Sequence, residues 1–209
     1  MPKPIVLLAR FALTLSLLLG LAFSVQQSLL LGLVPLIKAA VQFVLPDFHV
    51  VGVDVVTNGH GQVLRLLARL NEPQHINDHW IYPQGWLGAP SGSQQVSAFQ
   101  VDLTSGGTLS YSLLVFTVVL AWPAKGAAIV VRRLFLALML ALLLLLVNVM
   151  TTFAAEVWAL LHDVLAPREI WPLLVWSKML MGGVGLMLAV ASGALAIALA
   201  EGSPGQRVL

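Results

Sequence analysis

Four stretches of this chain lack a charged residue, or nearly so, over lengths that only a lipid bilayer or a large protein interior accommodates. The first, residues 11–37, is bounded by Arg10 and Lys38. The second lies between Asp102 and Lys125, with its apolar centre at residues 109–122. The third, residues 134–155, is bounded by Arg133 and Glu156, and the fourth runs from about Trp171 to Ala200 with Lys178 near its beginning. A bilayer-spanning helix needs about 20 consecutive apolar residues. Four such stretches predict an α-helical polytopic membrane protein with four transmembrane helices, the second being the shortest.

Composition agrees. The 209 residues are 59% hydrophobic and 10% charged, with mean hydropathy +0.93, whereas a soluble domain is about 45–50% apolar and about 25% charged. A water-soluble globule, a disordered chain and a nucleic-acid-binding module are excluded. The pI near 9.3 reflects a net charge of only +2 from scattered basic residues, which is the mark of membrane topology rather than of a phosphate-binding face. The chain has no cysteine, so disulfides, thiolate metal sites, thiol catalysis and cysteine-linked lipidation are all ruled out.

The first stretch also has the outline of a signal peptide: Lys3 and Arg10, an apolar run over 11–23, and Ala22-Phe23-Ser24 as a cleavage site. The apolar run continues through Leu36, too long for that template, so an uncleaved anchor is expected. Orientation follows from the short loops, which weigh most in the positive-inside rule. Residues 123–133 carry three bases and no acid, whereas the loop around Pro167 sets Arg168 against Asp163 and Glu169. The expected arrangement is the inner (plasma) membrane of a bacterium, N-in and C-in, with residues 46–107 outside. Trp158, Trp171 and Trp176 would mark the outer interface and Trp122 the inner one.

Three regions result: an anchor with its juxtamembrane segment (1–45), an exported β-rich segment (46–107), and a three-helix region with a short cytoplasmic tail (108–209). The exported segment holds five acids against two bases, a net charge of −3, and four of the five histidines. Residues 48–57 (FHVVGVDVVT) predict a strand, Asn58-Gly59-His60-Gly61 a turn, and residues 62–70 (QVLRLLARL) the return strand of a hairpin. Residues 96–103 alternate as a third strand, and the Pro-, Gly- and Ser-rich stretch 71–95 reads as loop. About 60 residues barely bury a core of their own, so this segment is expected to lean on the membrane or a partner. Its open strand edge offers a place for another extended chain to add.

Candidate chemistry is sparse. His75 and His79 have metal-ligand spacing if they share a helix face, with Asp78 and Glu72 nearby and His60 or His49 as a further ligand. Pro73 and the polar surroundings argue for a solvated loop instead, and neither a metal nor a cofactor is expected. Trp80, Tyr82 and Trp86 put three aromatics into one polar loop, suited to packing, headgroup contact or a partner. Glu156 and Lys178 are charges at matched depth on adjacent spans, open to an ion pair, a substrate or proton site, or snorkelling to the interface. Asn148 lies deeper on the third span and suits a hydrogen bond between helices. Small residues recur every fourth position on span one (Ser16, Gly20, Ser24, Ser28, Gly32, beside Gln26 and Gln27) and on span four (Gly185, Ala189, Gly193). Such stripes let helix backbones approach closely, within the bundle or against another protein. No P-loop, Gly-x-Ser-x-Gly elbow or His-Glu-x-x-His motif is present, and the spans show no inverted repeat.

From Gly61 to Trp122, a strand, a variable loop and then a strand running directly into a span (VDLTSGGTLSYSLLVFTVVLAWPA, 101–124) resemble the exosortase-associated small membrane proteins that accompany exosortase H. Thr104-Ser105-Gly106-Gly107 stands where that family's Asn-Pro and aromatic-Gly pairs are expected. The resemblance implies an accessory of a protein-sorting system rather than the transpeptidase, whose catalytic cysteine this chain lacks, and it carries no catalytic residue across. Three functions stand at this stage: a non-enzymatic accessory or assembly subunit with a membrane-protein partner, a small transporter or channel subunit using Glu156, Lys178 and Asn148, and a metalloenzyme using His75 and His79.

Overall fold

The structure is a computed structural model and describes residues 4–58, 61–76, 79–91, 93–124, 126–165 and 172–202. It is mostly helical, with three helices long and apolar enough to cross a membrane, a fourth, shorter apolar helix, and a small β segment. In chain order the elements are α1 (Pro4–Val44), β1 (Phe48–Asn58), β2 (Gly61–Leu70), β3 (Gln74–Ile76), β4 (His79–Pro83), β5 (Gln94–Val96), β6 (Phe99–Thr104), α2 (Ser105–Ala121), α3 (Ala127–Leu165), α4 (Pro172–Met179) and α5 (Gly185–Glu201).

The chain divides into two compact units. One comprises Met1–Gln26, Gly107–Val147 and Leu180–Leu209; the other comprises Gln27–Gly106 and Asn148–Met179.

The first unit is helical. Tyr111, Val115 and Val119 of α2, Ala137 and Ala141 of α3, and Ala189, Ala196 and Ile197 of α5 form its core. Alanine and glycine on α5 are what admit α2. A Cβ on Gly193 would lie 2.7 Å from Val118 Cβ, and one on Gly185 would lie 2.6 Å from the Tyr111 ring. Ahead of α5 the helix breaks: residues Leu180–Val184 form a wide turn in which Gly183 has φ 123°. A break of this kind disrupts the i→i−4 ladder, and the Tyr111 hydroxyl donates to the Leu180 carbonyl at 2.9 Å.

The second unit is built on an antiparallel sheet of order β1-β2-β6. A register shift between Val50 and Gly52 explains why residues 48–57 alternate only partially. Before the shift Phe48 and Val50 pair with Leu70 and Ala68; after it, Val53 and Val55 pair with Leu66 and Leu64. The extra residue changes which parity faces inward. Phe48, Val50, Val53, Leu64, Leu66, Ala68, Leu70, Phe99 and Val101 are all buried. Phe48 meets the rings of Phe99 and Trp158 edge-on at 5.7 and 5.4 Å.

The β1 edge is not fully open to another chain. Gln42 of α1 donates to the Phe48 carbonyl and accepts from the Val50 N–H, both at 2.8 Å. Lys38 donates to the Val51 carbonyl at 3.0 Å. These side chains occupy edge groups that an added strand would need.

Four expectations need correction. Residues 71–95 contain β3, β4 and part of β5, a second three-stranded sheet of order β3-β4-β5 in which β4 and β5 run parallel. Val96 ends β5, so the third strand of the main sheet starts at Phe99. Neither Arg133 nor Glu156 bounds a helix, because α3 continues past both; a charged side chain leaves the backbone ladder intact. Lastly, span four is broken at Gly183 rather than continuous.

Candidate functional site

On α1, the face carrying Ser16, Gly20, Ser24, Ser28 and Gly32 is exposed throughout. A Cβ placed on Gly20 or Gly32 meets nothing within 4 Å. Only Leu30, Ile37 and Val41 of the helix's 41 residues are buried. Ser16 and Ser24 turn their hydroxyls back onto the helix, donating to the Ala12 and Leu21 carbonyls at 3.0 and 2.7 Å. These two hydroxyls are thereby satisfied by the helix itself. The equivalent stripe on α5 is already used: Gly185, Ala189 and Gly193 are buried, with Gly185 and Gly193 lying against Tyr111 and Val118 of α2. One stripe therefore packs against α2, whereas the α1 glycines Gly20 and Gly32 have open space where a Cβ would be, among the described residues.

Glu156 and Lys178 are not brought together. Glu156 is half-buried and Lys178 exposed, and among the described residues the ion pairs are Arg65–Asp102 and Arg133–Glu201. Asn148 and Thr152 are buried and share a face of α3 with Glu156, each four residues from the last. Asn148 Oδ1 is buried with no hydrogen-bond partner among the described residues, although its backbone carbonyl accepts from the Thr151 hydroxyl at 3.2 Å.

His75 and His79 lie on facing strands, not on a helix. His79 pairs with Ile76, and His75 with Trp80, so the i,i+4 argument for a shared ligand face does not apply. His60 and Asp78 lie outside the described residues, as does Trp171. Among the described residues no three His, Cys, Asp or Glu side chains gather as a metal site would require. His75 instead lies over Trp80 with ring centroids 5.0 Å apart, and Trp80 lies 6.4 Å from Tyr82. Alternation puts Trp80 and Tyr82 on one face of β4 while Ile81 between them is buried. Trp80 on β4 is exposed, as are Trp86 and Leu87 in the turn that follows it, so the aromatics divide between a strand face and a turn.

Two charged arrangements escaped the sequence. On the solvent face of the main sheet, Arg65 sits opposite Asp54 on β1 and Asp102 on β6. Its Nε and Nη2 donate to the two Asp102 oxygens, each at 2.8 Å. That bidentate hydrogen bonding holds the Asp102 carboxyl below its ordinary range, and it raises the Arg65 guanidinium with added attraction from Asp54.

The second arrangement is Arg133, which is 2% exposed. Its Nη1 donates to the Trp122 and Pro123 carbonyls at 3.1 and 3.3 Å, and its Nη2 donates to Pro123 at 3.2 Å and to the Glu201 carboxylate. One guanidinium thus ties the chain leaving α2, the first turns of α3 and the last residue of α5. Its Nε–H is buried without a partner among the described residues, an arrangement that costs about 1–3 kcal/mol. The sequence marks Arg133 only as one base of a positive loop, and its acid lies 68 residues away.

No family model, curated protein or solved structure matches this chain.

Proposed function

We propose that the chain is a four-span protein of a bacterial inner membrane, N-in and C-in, and serves as a non-enzymatic accessory or assembly subunit that docks a membrane partner along α1. The observation that carries this reading is the bare stripe from Ser16 to Gly32 on α1, beside a matching stripe on α5 that is filled. Without a hydrophobic driving force between helices in lipid, small-residue faces are where close helix packing is gained. An exosortase-type sorting system is the machine to which the layout of residues 61–122 points, and the aromatic surface of β4 is the exported contact.

The helical unit supports the span count. Its segments of α1, α2 and α3 and the stretch from Leu180 to Glu201 are about 15 to 23 residues long, or roughly 22–35 Å at 1.5 Å per residue. This brackets the hydrocarbon thickness of about 30 Å.

The test is purification of the tagged full chain in gentle detergent at native expression, with identification of what accompanies it. A stoichiometric membrane protein is expected, lost from the Gly20→Leu, Ser24→Leu double variant while the variant itself stays in the membrane. Unchanged co-purification removes the docking reading. A lone monomer favours a transporter or channel subunit, for which the buried, unpartnered Asn148 Oδ1 on the Glu156 face of α3 is the supporting observation.

A further inference from the structure

We propose that the Arg133 end of the helical unit holds a site for the phosphate of an anionic phospholipid headgroup. The inference rests on the membrane placement given above but not on the docking of α1. A cavity of about 210 Å³ is lined by Arg10, Val119, Trp122, Pro123, Arg133 and Leu134, among others. This is far above the roughly 30 Å³ a water occupies in the liquid, so a group of several heavy atoms enters.

The donors present suit a phosphoryl group. Arg133 is almost wholly buried, and four of its hydrogen bonds are already assigned, to two backbone carbonyls and Glu201. Both Nη groups are engaged, so the Nε–H is the one donor of this guanidinium with no partner among the described residues, and Arg133 brings the site its charge and a single free N–H. Arg10 lines the same cavity. The lining thus carries two guanidinium groups and no carboxylate, which suits an anion. The walls decide between a soluble phosphate and a lipid. Val119 and Leu134 are apolar and Trp122 is exposed, so the site joins a cationic end to hydrocarbon, as the junction of headgroup and acyl chain does. Basic pockets between helices on the cytoplasmic side are where anionic headgroups bind.

Delipidated full-length protein is titrated with phosphatidylglycerol and with phosphatidylcholine, and lipid retention is read by native mass spectrometry. Phosphatidylglycerol is expected to be retained preferentially. Arg10→Gln should reduce that preference about fivefold, the worth of one basic residue near an anionic lipid. Arg132→Gln removes the same charge from an exposed residue that does not line the cavity, and should leave the preference nearly intact. Arg133 itself is left unchanged, because it ties the helix ends together. Equal retention of the two lipids overturns the proposal, and so does an equal loss in Arg132→Gln and Arg10→Gln, which marks diffuse attraction. If inorganic phosphate alone binds and displaces phosphatidylglycerol, the phosphoryl site stands but its lipid source is overturned. A chain absent from the membrane fraction defeats the membrane reading instead, whereas one that inserts and shows no preference defeats this site alone.

Discussion

Two glycines of identical helical context have opposite packing. Gly193 has Val118 where its Cβ would be, at 2.7 Å, and the Val115 carbonyl at 3.2 Å. Gly20 has nothing within 4 Å. A Cβ at 193 must displace the backbone-proximal part of a β-branched residue, which has little freedom to yield. Gly193→Ala should therefore destabilise the helical unit by about 1–3 kcal/mol through overpacking. Gly20→Ala should be neutral or stabilise by about 0.5–1 kcal/mol, because alanine loses less backbone entropy in a helix than glycine. Thermal unfolding of the detergent-solubilised chain measures both. A tolerated Gly193→Ala with a damaging Gly20→Ala would mean that the stripes are used the other way round. The sequence showed two stripes and could not rank them, since fourfold spacing says which residues share a face and nothing of what lies across it. The same limit hid Arg133. Its type and loop position were legible, but its Glu201 partner and the carbonyls it binds depend on how three helix ends meet.

At the level of elements, legibility followed the length of the repeating pattern. The β1–β2 hairpin was readable because two Val- and Leu-rich runs flank Asn58-Gly59, and the structure pairs Asn58 with Gly61 across that turn. The register shift at Val50–Gly52 was not readable as a bulge, though its trace, a lapse in alternation, was. Strands β3 and β5 are three residues each, too short to establish a period, and their pairing depends on β4 lying between them. The helices were legible as apolar runs and their ends were not, because Arg133 and Glu156 interrupt hydrophobicity without interrupting hydrogen bonding. Between β2 and β6 the Arg65–Asp102 pair has a consequence in pH. Since the folded state holds the Asp102 carboxyl below its ordinary value, its contribution is fully present above the unfolded carboxyl value of about 3.9 and is lost as pH falls through the lower, folded one. Amide exchange in β6, corrected for intrinsic rates, should accelerate below about pH 4, and Asp102→Asn should flatten that dependence. The side chains are only partly shielded, so high salt should weaken the effect as well. An Asp102→Asn profile that follows the parent chain would assign the acid sensitivity to other carboxyls.

The charge of the whole molecule is sorted between its two units. The helical unit contains six bases (Lys3, Arg10, Lys125, Arg132, Arg133 and Arg207) and one acid, Glu201, a net charge of +5. The unit built on the sheet contains the other eight acids against five bases, a net charge of −3. The bases of the helical unit are also confined along the chain: none falls within residues 11–26, 107–124, 134–147 or 180–200. Three of these charge-free segments begin or end directly at a basic residue, Arg10, Lys125 or Arg133, which is the pattern the positive-inside rule reads. The division also puts Glu156 and Lys178, which the sequence alone set inside the bilayer, in the unit that holds the sheet. Because the chain has no cysteine, single-cysteine reporters test the orientation without background. Ser91 is exposed in the sheet unit, and Gly126 is exposed in the loop before α3 with open space around its Cβ. A membrane-impermeant maleimide should label Ser91→Cys in intact spheroplasts and Gly126→Cys only after lysis. The reverse pattern would invert the topology and place Arg10 and Arg133 on the exported side. Labelling of both positions before lysis would mean that the helical unit does not separate them across a bilayer, and the span assignment would fall with it.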